Sequence, residues 1–147
     1  MSTLFVDSSA LLKRYRKEAG TERVSELLEG SDRLVIARLA LVEVSSALVR
    51  RARTTGVPAG ELQTAIAELD DEVAESFDIV ELDELVMDRA VAMARQYALR
   101  GADAIQLACA LLIHEQIQQS EFLLLSSDTE LNAAALAAGI KVENPTA

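Results

Sequence analysis

Cysteine, histidine and tryptophan are almost missing from this sequence of 147 residues, which has one cysteine (Cys109), one histidine (His114) and no tryptophan. One chain therefore has neither the thiols for a disulfide framework nor the four ligands of a Cys/His zinc site. Aromatic residues make up only 3% of the chain. We therefore expect a core of Leu, Val, Ile and Ala, without aromatic platforms for stacking nucleic-acid bases. The cysteine usage fits a reducing compartment, and we expect a cytoplasmic protein.

Long hydrophobic runs are missing as well. The apolar start of the chain stops at Asp7, which is too early for a signal peptide. No later run approaches the roughly 20 residues that cross a membrane, so we expect no membrane contact. Half of the chain is nonetheless apolar, which is ample for one core, and the length is typical of a single domain spanning 1–147.

Positive charge is scarce, because 14 basic residues stand against 24 acidic ones and give a formal net charge of −10. This balance argues against a protein that coats nucleic acid or binds anionic membranes. Any contact with RNA must be local and assisted by metal ions. The basic residues at 13–17 and 50–53 are able to contact phosphates, but ordinary solvated helix faces explain them more simply.

Short apolar runs alternate with helical patterns along the chain. Strands are expected at 4–6, 34–36, 77–82, 122–125 and 139–142. Two helices are expected after each of the first three strands and one after the fourth, and the helix that starts near Ala102 is expected to run towards Gln119. This alternation predicts an α/β fold with a parallel sheet that is covered on both faces.

Two carboxylates stand where predicted strands end. Asp7 follows the first strand and Asp128 follows the fourth, each directly before a helix. In open parallel sheets ligands bind beside the carboxyl ends of the strands, so both acids are candidate site residues. Each one alone is equally well explained as a helix N-cap. Two acids at matching positions favour a site.

Two further acids, Glu43 and Asp103, lie in apolar surroundings. Glu43 has apolar or small residues one turn away on either side, among them Leu39 and Ala47, and no Lys or Arg of its own helix faces it. Burying a carboxylate without a partner is costly, so this setting calls for a cation from elsewhere. Asp103 stands at a helix start next to residues such as Ile105, where compensation of the helix dipole is the simpler explanation.

A divalent cation would reconcile these four acids. If the sheet brings Asp7, Glu43, Asp103 and Asp128 together, their like charges raise one another's pKa unless cations neutralise them. Oxygen ligands select Mg²⁺ or Mn²⁺ over zinc. Such ions orient a phosphodiester, activate water and stabilise the leaving oxygen, so the set predicts metal-assisted phosphodiester hydrolysis without a histidine base.

Five segments, in order along nearly the whole chain, match the pattern of one known family. They are LFVDSSALLK at 4–13, LVEV at 41–44, RGADAIQLA at 100–108, LSSD at 125–128 and GIKVENP at 139–145. The third segment is the most specific match. Together they resemble the PIN-domain ribonucleases, and most of all the VapC toxins of bacterial toxin–antitoxin pairs.

The resemblance implies a three-layer α/β/α fold with a central, mostly parallel sheet of four to five strands. It also implies endonucleolytic cleavage of RNA that depends on Mg²⁺ or Mn²⁺. The implied site residues are the principal metal ligands Asp7 and Asp103, the remaining acids Glu43 and Asp128, bound directly or through water, and the supporting hydroxyls of Ser9 and Ser126. The implied partners are an RNA substrate, a small cognate antitoxin of VapB type and a second copy of the chain in a homodimer.

Three alternatives stay open. The first is a stand-alone PIN nuclease that is not paired with an antitoxin. A phosphatase with Asp7 as its nucleophile also has an acid after the first strand. Such enzymes usually carry a second acid two residues on, where this chain has Ser9. A non-catalytic binding module would use the acids only as helix caps.

Overall fold

The computed structural model describes residues 1–117 and 121–147. Within these ranges the strands are β1 (Ser2–Val6), β2 (Arg33–Ala37), β3 (Phe77–Val80), β4 (Glu121–Leu125) and β5 (Val142–Glu143). The helices are α1 (Ser8–Tyr15), α2 (Thr21–Gly30), α3 (Arg38–Thr55), α4 (Ala59–Ser76), α5 (Glu84–Tyr97), α6 (Gly101–Gln116) and α7 (Thr129–Ala137). None of the helices in the described ranges is both long and apolar enough to cross a membrane.

All strands pair in parallel in one sheet, in the order β3-β2-β1-β4-β5. The chain builds outward from β1 to β3, and then adds β4 and β5 on the other side of β1. The order therefore reverses between β1 and β4, which lie side by side with Val6 opposite Leu125. Such a reversal opens a crevice at the carboxyl ends of the two strands, where ligands bind in open α/β sheets.

Helices cover both faces of the sheet because its strands are apolar on both sides. In β1, Phe5 belongs to one core while Leu4 and Val6 belong to the other, as the alternation of side chains along a strand requires. Helices α5, α6 and α7 cover the first core, and α1, α2, α3 and α4 cover the second. The predicted three-layer α/β/α fold with a parallel sheet is therefore confirmed, with five strands in the described residues.

Some element ends differ from the sequence-based expectation. Gly139, the residue after the C-cap of α7, has a left-handed φ of 91°, a conformation that suits glycine at a helix end. The chain therefore turns before it pairs, and the last strand comprises only Val142–Glu143 rather than 139–142. The third strand ends at Val80, ahead of Asp83, which caps α5. The predicted extension of α6 to Gln119 lies outside the described residues.

Candidate active site

Asp7 lies at the carboxyl edge of the sheet, directly after β1 and beside β4. Its backbone N–H donates to the Leu125 carbonyl at 3.0 Å, which continues the pairing of the two strands up to the acid. The residue is only 4% exposed. Its Oδ2 accepts hydrogen bonds from the Ser9 hydroxyl at 2.6 Å and from the Ser126 hydroxyl at 3.2 Å. Both serines that the family resemblance implied as supporting hydroxyls therefore contact Asp7.

The turn after β4 brings Asp128 to the same edge. Ser126 is fully buried, and its hydroxyl accepts a hydrogen bond from the Asp128 backbone N–H at 3.1 Å. Asp128 Oδ1 in turn accepts from the Leu131 N–H at 3.0 Å and so caps α7. Asp7 likewise caps α1. The helix-cap explanation is therefore right for both strand-end acids, and both still lie where the strand order reverses.

Glu43 reaches the site from α3, on the second core's side of the sheet. The residue is half-buried. Its Oε1 accepts hydrogen bonds from the Ser8 hydroxyl at 2.6 Å and from Gln106 Nε2 at 3.3 Å. These partners come from α1 and α6, so Glu43 is bound to both helical layers. Neither partner is a cation, and the negative charge of the carboxylate stays uncompensated by them.

Asp103 reaches the site from the first turn of α6, on the other side of the sheet. Burial is the main cause that raises its pKa to about 6, and the negative charges of the other three predicted acids add to this effect against the opposing charge of Arg100. The pKa of Asp7 is also raised, mainly by burial and partly by Glu43, although its serine hydrogen bonds oppose the change. The four acids are thus close enough to act on one another electrostatically.

Asp7, Glu43, Asp103 and Asp128, here called the acid cluster, offer only oxygen ligands. Within the described ranges, none of them forms an ion pair with Lys, Arg or His. In the same ranges, no three His, Cys, Asp or Glu side chains already converge as a set of metal ligands. The chemistry of the donors nevertheless fits a hard divalent cation, because every donor is an oxygen and no cation of the described residues is paired with the cluster.

Two polar residues of the site, Ser8 and Gln106, were not predicted from the sequence. Gln106 is 1% exposed and lies one turn after Asp103, in a stretch of α6 that is otherwise apolar and buried. A lone amide on a buried helix face was the signal that could have identified it. Ser8 had no such signal, since serine is common at helix starts. The Nδ2 of Asn132, which is also buried, donates a hydrogen bond to the Ser126 carbonyl at 2.8 Å and so stabilises the turn after β4.

The basic residues of α1 are largely occupied by carboxylates. Lys13 pairs with Glu18 at 2.8 Å, and Arg14 pairs with Glu72 at 3.0 Å. Arg50, on α3, is exposed and forms no ion pair with any residue of the described ranges. Of the two basic groups, the one on α3 is therefore the more available for a phosphate.

Comparisons with known proteins agree with this geometry. The family model of the PIN domain matches residues 4–136. Ribonuclease VapC45 and Ribonuclease VapC49, from the CDC 1551 and H37Rv strains of Mycobacterium tuberculosis, are each 35% identical over 142 residues, or 97% of this chain and 95% of theirs. Among solved structures, a chain of a toxin–antitoxin complex from Klebsiella pneumoniae has the same fold, with a TM-score of 0.66, 20% identity and 97% of each chain covered.

Proposed function

This chain belongs to the PIN domain family, and on that premise we propose that it is a divalent-metal-dependent endoribonuclease and the toxin of a VapBC-type toxin–antitoxin pair. One observation carries the proposal. Four acids from both helical layers and from two strand ends lie at the edge where the sheet order reverses, and no cation of the described residues pairs with them. The VapC relatives, which are named ribonucleases, supply the substrate class.

Each member of the acid cluster has a distinct task in this proposal. Asp7 and Asp103 are the principal ligands, and Glu43 and Asp128 complete the set directly or through water. When bound, one or two Mg²⁺ or Mn²⁺ ions supply the Lewis acidity that activates a water molecule and stabilises the leaving oxygen of the phosphodiester. Ser9 and Ser126 position Asp7, because their hydroxyls hold its Oδ2.

The acidic surface of the protein makes RNA binding depend on local contacts. Arg50 follows Glu43 by seven residues on α3, which places it about two turns and roughly 10 Å away on the same helix face. An arginine at that distance is able to bind one phosphate of an RNA strand while a nearby phosphodiester of the same RNA lies over the acid cluster.

Cleavage of RNA by the purified protein tests the proposed activity. Structured and single-stranded RNAs are incubated with the protein in Mg²⁺, in Mn²⁺ or in EDTA, and the products are separated on a denaturing gel. We expect cleavage with at least one of the two ions and none in EDTA. Cleavage that persists in EDTA would contradict metal dependence. No cleavage of any RNA, together with no ion binding by calorimetry, would favour the binding-module alternative.

The proposed partners are a VapB-type antitoxin and a second copy of the chain. Exposed apolar side chains support such partners, because apolar surface is favourably buried at an interface. Examples are Val42 on α3, Val91 on α5 and Leu136 on α7, which are 64%, 47% and 60% exposed. Light scattering after gel filtration measures the mass of the chain alone and of its mixture with a candidate antitoxin. We expect a dimer and a larger, inactive complex. A monomer at every concentration and in the mixture would contradict both partners.

A further inference from the structure

Gln106, on α6, is a deeply buried amide that donates a hydrogen bond to Glu43 of the acid cluster. It is 1% exposed. Its Nε2 donates to the Ser8 hydroxyl at 2.9 Å and to Glu43 Oε1 at 3.3 Å. Its Oε1 is buried without a hydrogen-bond partner among the described residues. The amide nitrogen therefore forms hydrogen bonds within the site, whereas the amide oxygen forms none with the described residues.

Ser8 links Gln106 to the acid. Its hydroxyl donates to Glu43 Oε1 at 2.6 Å, so the Ser8 oxygen is left to accept the hydrogen bond from Gln106. The three groups form a closed triangle in which both donors meet the same carboxylate oxygen. A carboxylate held by two donors keeps one orientation, whereas a glutamate on a half-exposed helix face otherwise rotates freely.

The fold itself does not require an amide at this position. The neighbours of Gln106 on α6 include Leu107 and Ala108, which are fully buried and apolar. A buried carbonyl oxygen without a hydrogen-bond partner lowers the stability of the fold, and a hydrophobic side chain of similar size would avoid this loss. An amide at this place therefore lowers stability relative to an apolar residue while it orients Glu43, which points to a role in the site rather than in the core.

We propose that Gln106 is a positioning residue that holds the Glu43 carboxylate, through Ser8, in the orientation in which the acid cluster binds a divalent ion. This inference rests on the proposed function, because it concerns the same site. Groups that orient metal ligands by hydrogen bonds commonly change metal affinity by 10–100-fold when they are removed. Gln106 contacts no substrate in this account and acts on the ion only through Glu43.

Mn²⁺ binding to the Gln106→Met variant tests the inference directly. Methionine has a similar length and fills the same buried space, but it has no N–H to donate. Isothermal titration calorimetry of the ion-free full chain with Mn²⁺ is expected to show affinity at least tenfold weaker than that of the wild type. Mn²⁺ affinity within twofold of the wild type would overturn the inference. Circular dichroism checks that the variant is folded.

A double-mutant cycle separates positioning from a general structural effect. Ser8→Ala breaks the same triangle at its half-buried end, and we expect it to weaken Mn²⁺ binding to a similar degree. Both substitutions remove hydrogen bonds that orient the Glu43 carboxylate. The double variant is therefore expected to bind Mn²⁺ with about the same affinity as the single variant that binds it more weakly. If the loss of Mn²⁺ affinity in the double variant equals the product of the two single losses, Ser8 and Gln106 do not act through the same Glu43 carboxylate, and the inference is overturned. Ser8→Thr keeps the hydroxyl and is expected to restore the affinity that Ser8→Ala loses. If Gln106→Met does not fold, Gln106→Leu, which also lacks an N–H to donate, replaces it with the same expected loss and the same overturning result.

Thr3→Val is the matched control for removing a buried polar group. Thr3 is 2% exposed, and its hydroxyl is also buried without a partner among the described residues. It lies in β1, before Leu4, and so at the end of the strand away from the acids. We expect wild-type Mn²⁺ affinity in this variant. If the wild type binds no Mn²⁺ and cleaves no RNA, the proposed function and this inference both fail. If the wild type does both and Gln106→Met binds Mn²⁺ within twofold of the wild type, only the inference fails.

Discussion

Replacing Asp7 or Asp103 with asparagine is expected to reduce the rate of metal-dependent RNA cleavage by roughly 10³-fold, which corresponds to about 4 kcal/mol of lost transition-state stabilisation. Asparagine has the shape of aspartate and can still accept the hydrogen bonds that cap α1, so the fold is retained. It lacks the negative charge that holds a divalent cation. Initial rates on one RNA at saturating Mn²⁺ measure the effect.

The matched control for these variants is Asp70→Asn. Asp70 is an exposed acid on α4, outside the acid cluster, and the substitution removes the same charge from the chain. We expect it to cleave RNA at the wild-type rate. If either cluster variant keeps more than a tenth of the wild-type rate, that acid is not a principal ligand. If Asp70→Asn is equally slow, net charge rather than the cluster determines the rate.

Without a divalent ion, Asp103 is expected to destabilise the folded protein at neutral pH. The fold raises the pKa of this carboxyl to about 6 from the ordinary 3.8, so the folded state holds the proton more tightly than the unfolded state does. Its contribution to stability is therefore fully present below about pH 4 and is lost as the pH rises to about 6 and beyond. In EDTA at pH 7, Asp103→Asn should be more stable than the wild type, by on the order of 1–2 kcal/mol once solvent screening is allowed for.

Urea denaturation of the wild type and of Asp103→Asn, in EDTA between pH 4 and pH 7, measures this difference. The two proteins should converge in stability towards pH 4 and diverge above it. Added Mn²⁺ should stabilise the wild type strongly and the variant weakly, because the ion binds the folded cluster. A variant that is less stable than the wild type at pH 7 in EDTA would contradict the raised pKa of Asp103.

The positions of Asp7 and Asp128 were predictable from local patterns alone. Each follows a short apolar run and precedes a helix, and parallel strands bring their carboxyl ends to one edge. The convergence of Glu43 and Asp103 was not predictable in this way. They come from helices on opposite faces of the sheet, 60 positions apart in the sequence. The apolar surroundings of Glu43 indicated that it needs a cation, but the meeting of the two acids was implied only by the resemblance to PIN domains.

Both strand-end acids cap helices, and this role is compatible with a second role as metal ligands. A carboxylate has two oxygens with several lone pairs, so one oxygen can cap a helix while the other faces a cation. The Ser8–Gln106–Glu43 triangle was beyond sequence reasoning because its hydrogen bonds join residues up to 98 positions apart. Its single local sign was the amide on a buried helix face.

Anomalous diffraction from a crystal of this protein soaked in Mn²⁺ is the most direct test of metal binding by the acid cluster. We expect an anomalous peak within ligating distance of the Asp7 and Asp103 carboxylates, with Glu43 and Asp128 beside it, and no peak there in the Asp103→Asn variant. Absence of a peak at the acid cluster in crystals of the wild type, or an ion bound only elsewhere on the surface, would contradict the proposed metal site.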